Sequence, residues 1–339
     1  MTNDTTALGP ARAFPPGSGS SRPLPFHRLA LATGYHSWWR PLAGTALVLL
    51  GVVVMMPALF LGAEIVGRLV DRPLDPDGMA VWGDIGDTAL ALLSIAVMTP
   101  VVLLAAYSAQ RRPAGTVSSV EGRLRRRRLA TCLALALPLV LLMVAVQALM
   151  PGPAGEGEDL AWAGTSTFLT GLATVWLLVP FQAAAEEYVF RGWLLQAVGS
   201  WCRSPWAAIA PQALLFAAAH GWGTVWGFAD LVVFGVVTGW LTIRTGGLEA
   251  AIALHVLNNL VGMSIAAAFA GAFASQETAA DMDGVAMAVD VPMVLLYAAA
   301  VLWVTRRRER ATDTDTPGGP DTSPPAVTAG GYAGPAGGV

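Results

Sequence analysis

The chain contains no lysine; all 20 of its basic residues are arginine. Charge of either sign is scarce, at 13% of residues, where a soluble domain carries about 25%. That shortage argues against a soluble fold of this length. Cysteine is almost absent. Cys132 and Cys202 stand far apart and form no CxxC, which argues against a disulfide framework or a cysteine-built metal site. Cys132 opens an apolar run and reads as a small buried side chain. Cys202 adjoins Arg203 near an expected membrane boundary and reads as an ordinary residue there. The alternating pattern of a membrane β-barrel is missing. So are HExxH, GxSxG and a phosphate-binding glycine loop. No nucleic-acid partner is expected.

Hydrophobic residues make up 55% of the chain and collect in long runs. A bilayer-crossing helix needs about 20 apolar residues and must satisfy its own backbone. Eight candidate spans lie near 41–67, 87–108, 129–150, 166–197, 205–221, 224–243, 248–272 and 290–305. The expected fold is an all-α, polytopic transmembrane helical bundle over 41–305. The fifth and sixth spans, joined around Gly221-Trp222-Gly223, should form a tight hairpin. Trp38, Trp39, Trp82, Trp162, Trp201 and Trp303 fall near span ends, as an interfacial belt requires. Residues 1–40 are rich in Pro, Gly, Ser and Arg, lack the apolar core of a signal peptide, and read as a disordered tail. Residues 306–339 read as a second tail.

Arginine placement sets an orientation. One block runs from Arg111 to Arg128 and another from Arg306 to Arg310, with Arg203 and Arg244 in the remaining connections of the same side. Acidic loops occupy the other side: Asp71 to Asp84, Glu156 to Asp159, and Glu277 to Asp283. By the positive-inside rule both termini are cytoplasmic, in a multi-pass protein of the plasma membrane. No internal repeat of the kind found in many transporters is visible.

Ionisable groups inside apolar runs are functional candidates by default. Of four histidines, His27 and His36 lie in or beside the N-terminal tail and read as surface residues, whereas His220 and His255 lie in apolar helices. Glu186 and Glu187 sit deep in the fourth run. Glu187 and Arg191 are one helical turn apart and can pair. Glu186 points roughly 100° away and keeps no local cation. A carboxylate so placed has a raised proton affinity, suited to general acid–base work. The alternative is one structural ion-pair cluster. Phe216 and His220 share a face across three alanines, as His255 and Asn259 share another. An imidazole and a carboxamide one turn apart can both donate toward one point, as an oxyanion hole requires; they can equally hold helices together.

Taken in order, EExxxR (Glu186 to Arg191), FxxxH (Phe216 to His220) and HxxxN (His255 to Asn259) resemble the CPBP, or Abi, family of intramembrane proteases, relatives of the type II CAAX prenyl endopeptidases. Phe190-Arg191-Gly192 and Arg244-Thr245-Gly246 also look like bacterial members. The resemblance covers about residues 165–265. It implies an endopeptidase that hydrolyses a membrane-associated peptide or protein. Glu186 and His220 would activate water, His255 and Asn259 would stabilise the oxyanion, and Glu187 and Arg191 would hold the site, with Phe216 supporting it. Zn2+ held by Glu186, His220 and His255 is an alternative that the resemblance leaves open. The residues lean toward a metal-free site, because only Ala and Gly flank His220 and a zinc ion would make Glu186 a poor base. A non-enzymatic membrane scaffold and a proton-coupled transporter are the competing functions.

Overall fold

The computed structural model describes residues 24–150, 161–275 and 277–314, with side chains placed as far as 307. The two tails beyond these limits and the acidic segment 151–160 lie outside the described residues. Among the described residues the structure is helical, with isolated β-bridges as its only extended pairing. The helices are α1 (Arg40–Leu69), α2 (Asp84–Ala96), α3 (Met98–Ser108), α4 (Arg126–Leu149), α5 (Thr165–Glu187), α6 (Leu195–Gly199), α7 (Pro205–Ala219), α8 (Val225–Thr245), α9 (Glu249–Ala266) and α10 (Gly284–Thr314). The described residues fall into two units, divided within α10 after Leu302. The second contributes the last turns of α10.

Among the described residues, seven helical segments are long and apolar enough to cross a membrane. They correspond to the expected spans except the fifth. That one, α7, has 15 residues. At about 1.5 Å per residue it is shorter than a hydrocarbon core of about 30 Å. Other boundaries shift locally. The second span is interrupted at Val97, between α2 and α3. Pro100 accounts for the break, since it has no amide hydrogen for the carbonyl four residues earlier. The seventh span ends at Ala266 rather than 272, and residues 272–274 form a separate 3-10 turn. The apolar side chains Leu49, Val53, Leu61 and Ile65 of α1 are all exposed. A helix that turns such a surface outward is at home in lipid.

Residues 24–39 behave differently from the tail expected there. Phe26–Leu31 forms a 3-10 helix with Phe26 and Leu29 in the core. It seats on α6, where a Cβ at Gly199 would lie 2.0 Å from the His27 carbonyl oxygen. His27 is therefore buried, not a surface residue, and its Nε2 donates to the Arg203 carbonyl at 3.3 Å. Burial pushes its imidazole below the ordinary histidine range. The phenylalanine and leucine were visible in the sequence, but a six-residue segment carries too little periodicity to show that it packs.

Three devices place the helices that carry the polar motifs. The α7–α8 hairpin turns through Gly221 and Gly223, at φ 99° and 38°. Its helices approach closely because a Cβ at Gly235 would meet Ala213 at 2.8 Å. At the arginine-rich end, Arg125 holds Glu249 through two side-chain bonds of 2.8 and 2.6 Å and its own backbone amide. This buried fork ties the start of α4 to the start of α9. Finally, the chain passes from α5 into a π-helix at Tyr188–Leu194 before resuming as α6.

Candidate active site

Glu187 is the last residue of α5, and the wider π turn begins immediately after it. Such turns are costly and concentrate at functional sites. Both Glu187 and Arg191 are fully buried. Glu187 Oε1 accepts from Arg191 Nη1 at 2.9 Å and from His255 Nδ1 at 2.7 Å. The guanidinium of Arg191 also lies over the ring of Phe216, 4.1 Å from its centroid. One carboxylate thus neutralises a buried cation and fixes an imidazole on another helix.

Glu186, one residue earlier, faces elsewhere. Its Oε1 accepts from Gln182 Nε2 at 2.5 Å. Its buried Oε2 has no hydrogen-bond partner. His220 Nε2 and His255 Nε2 each stand 3.8 Å from that oxygen. Asn259 joins through Gln182, whose Oε1 accepts from Asn259 Nδ2 at 3.3 Å.

Phe216 is the packing centre. Its ring lies 4.6 Å from His220 and 5.8 Å from His255, centroid to centroid, and stacks on Phe234 at 5.7 Å. The structure therefore brings Glu186, Glu187, Arg191, Phe216, His220, His255 and Asn259 into one cluster from α5, the π turn, α7 and α9.

Hydrogen-bond chemistry assigns the imidazole tautomers. His220 Nδ1 meets the Phe216 carbonyl at 2.9 Å, and His255 Nδ1 meets the Glu187 carboxylate. Both partners are acceptors, so each Nδ1 carries the hydrogen. A neutral ring then offers Nε2 as an acceptor. Three acceptors converge: Glu186 Oε2, His220 Nε2 and His255 Nε2. They require hydrogens or a cation among them.

Two expectations change. The partner missing from the neighbours of His220 is a backbone carbonyl of its own helix. His255 can donate toward an oxyanion only as an imidazolium, because Glu187 holds its Nδ1 hydrogen.

The three donors have the composition of a catalytic zinc site, and each ring has the acceptor that orients a metal-bound histidine. Their chemistry therefore fits zinc. As placed they stand apart; among the described residues no three His, Cys, Asp or Glu side chains close into a metal cage.

An apolar cavity of about 530 Å3 runs along α5 and α9, and none of the clustered polar residues lines it. Pro180, Ala184 and Tyr188 form one wall, and Ile252 and Val256 the other, with Leu133 of α4 between them. Ala184 and Tyr188 bracket the glutamates in sequence, and Ile252 and Val256 bracket His255.

Gln182 was not singled out by the sequence reading, although a carboxamide one turn before Glu186 on an apolar helix is a visible signal. The same applies to Asp230 and Asp290. They are buried in α8 and α10.

Residues 165–261 match the family model described as type II CAAX prenyl endopeptidase Rce1-like. That segment contains all seven clustered residues named above. Two curated relatives are similar to the chain. "Uncharacterized protein YyaK" of Bacillus subtilis (strain 168) is 33% identical over 124 residues, which is 35% of this chain. "Uncharacterized 24.3 kDa protein" of Escherichia coli is 33% identical over 94 residues, 27% of this chain. Each match spans 42% of the relative's length. No solved structure matches the chain.

Proposed function

We propose, from the match of residues 165–261 to the Rce1-like family model, that the protein is an intramembrane endopeptidase that hydrolyses a peptide bond of a membrane-associated peptide or protein. The observation that carries this reading is the partnerless Glu186 Oε2 facing two imidazole Nε2 atoms at 3.8 Å.

A water placed among the three acceptors donates its two hydrogens to two of them, and the third carries a proton. As the water oxygen attacks the peptide carbonyl carbon, Glu186 takes the proton that the water loses. The carbonyl π electrons move to oxygen. Asn259 Nδ2, and whichever imidazole is protonated, face the negative charge that develops. The C–N bond then breaks, and Glu186 returns its proton to the leaving amine. Glu187 and Arg191 are positioning residues. They hold His255 with its Nε2 turned toward Glu186.

The test uses detergent-purified full-length protein with quenched-fluorescence peptides, lipidated and unlipidated. Cleavage by wild type that disappears in Glu186→Gln supports the proposal. Equal rates in both proteins, or no cleavage by wild type of any peptide offered in nanodiscs, would leave the scaffold function standing.

A zinc ion would be held by Glu186, His220 and His255, and would supply a Lewis acid for the carbonyl and an acidified water. The proton accounting of the chain's own residues closes without it, and a carboxylate committed to zinc is a poor base. The expected result is full activity at substoichiometric metal, unaffected by chelator. Stoichiometric zinc, lost together with activity and restored with it, would overturn this expectation.

The same reading puts the Arg111–Arg128 connection in the cytoplasm; both termini share that side when the 15-residue α7 carries the chain across as an eighth, short crossing. In a variant lacking Cys132 and Cys202, a cysteine at Asp77 should react with an impermeant maleimide on intact cells. A cysteine at Glu121 should react only after lysis. The reverse pattern inverts the topology.

A further inference from the structure

Arg112 lies just beyond the end of α3 and is 2% exposed. A guanidinium buried to this degree ordinarily faces a carboxylate, because an unpaired buried charge costs several kcal/mol. Arg112 faces none. Its Nε donates to Gln110 Oε1 at 2.5 Å, and its Nη1 donates to Thr116 Oγ1 at 2.7 Å and Gln196 Oε1 at 2.5 Å. All three acceptors are neutral. Its Nη2 has no partner. Desolvation alone pulls the group down to about 9, with no carboxylate to offset it. The contrast with Arg125 and Arg191 is direct, since each of those is paired with a buried glutamate.

Arg112 also lines a cavity of about 490 Å3, whose other walls are Tyr107, Ser108, Arg111 and Pro113. Arg111 is exposed and held at φ 49°, a backbone conformation that non-glycine residues rarely adopt. Arg40 adds a third positive charge at this helix end, through a 2.9 Å bond to the Ala109 carbonyl. The cavity sits where the span Asp84–Ser108 gives way to the arginine-rich connection. From there the exposed side chains of Tyr107 and Leu104 lead back along α3, one turn apart. A cationic cavity at the end of a span, continued by an apolar strip along that span, matches a molecule with an anionic head and a hydrocarbon tail.

We propose that this cavity binds the phosphate of an anionic membrane lipid, with Arg112 and Arg111 on the phosphate and Tyr107 and Leu104 along the acyl chain. Arg112 is suited to this because its Nη2 hydrogens are unspent and its charge has no carboxylate, so an anion would supply the missing acceptor. The proposal rests on the membrane reading of the fold and is independent of proteolysis.

The test is lipid binding to delipidated, detergent-purified full-length protein, read by native mass spectrometry and by the shift in Tm. The probes are dioleoylphosphatidylglycerol, dioleoylphosphatidylcholine and inorganic phosphate. Phosphatidylglycerol should bind saturably and raise Tm, and phosphatidylcholine should not. Arg111→Asn keeps a residue that tolerates positive φ and should weaken phosphatidylglycerol binding about fivefold, the effect of one interfacial arginine. Arg112→Lys keeps the charge but loses the unspent Nη2 donor and should weaken the preference for the anionic lipid. If that variant does not fold, Arg111→Asn decides. Equal binding of the two lipids, or an unchanged preference in Arg111→Asn, overturns the proposal. A Tm increase from inorganic phosphate alone, with none from phosphatidylglycerol, assigns the site to the free anion and overturns the lipid.

Discussion

Exchange of Glu186 for glutamine should lower peptide hydrolysis by about 10²–10⁴-fold, the usual cost of losing one proton-transfer group, and leave the fold intact. The two side chains have the same shape, and glutamine can still accept the bond from Gln182 Nε2 through its own oxygen. What disappears is the proton acceptor at the oxygen that faces His220 Nε2 and His255 Nε2. The check is a rate measurement beside a thermal melt. Unchanged Tm with lost activity is expected. A variant that keeps its rate would remove Glu186 from the chemistry, whatever its position.

The second large effect falls on stability. Glu187→Gln should destabilise the protein by about 3–5 kcal/mol, because it strands the buried charge of Arg191. Arg191→Ala should act similarly by stranding Glu187. Neither partner reaches solvent that could screen the loss. Glu187→Gln also weakens the 2.7 Å bond that orients His255, so the folded fraction should be slower as well. Denaturant melts in detergent, paired with rates normalised to folded protein, separate the two effects. A Glu187→Gln protein that is stable and inactive, beside an active Glu186→Gln, would exchange the roles assigned to these neighbours.

The contrast between the two glutamates was largely legible in the chain. Glu187 and Arg191 are one turn apart, and their ion pair forms even though the backbone widens to a π turn there. The FxxxH and HxxxN pairs likewise share faces, and both histidines arrive beside Glu186. Less legible was the wiring. That Glu187 also holds His255, and that the Phe216 carbonyl holds His220, depend on how α5, α7 and α9 cross. The oxyanion role expected of His255 was inferred from its own helix alone, which does not show where its Nδ1 hydrogen is spent.

Similar reasoning applies beyond the site. His27 and the residues around it look like tail because they are short and irregular, yet they pack against α6 at a glycine that leaves them room. Arg112 looks like one more member of a cytoplasmic arginine block. Only its burial, without a carboxylate, sets it apart.

The sequence by itself determined the all-helical membrane architecture, seven of the eight expected spans in outline, and the choice of candidate residues. These follow from quantities local to the chain: the length of apolar runs, the placement of arginine, and spacings of three or four residues on a helix. The tertiary structure alone decided which nitrogen of each imidazole is free, that both free nitrogens face one carboxylate oxygen, and which arginine is buried without a counter-charge. Those depend on contacts between residues as far apart in the chain as Glu187 and His255 or Arg112 and Gln196. Helix crossings and close approaches at small residues set such contacts, and no spacing along the chain encodes them.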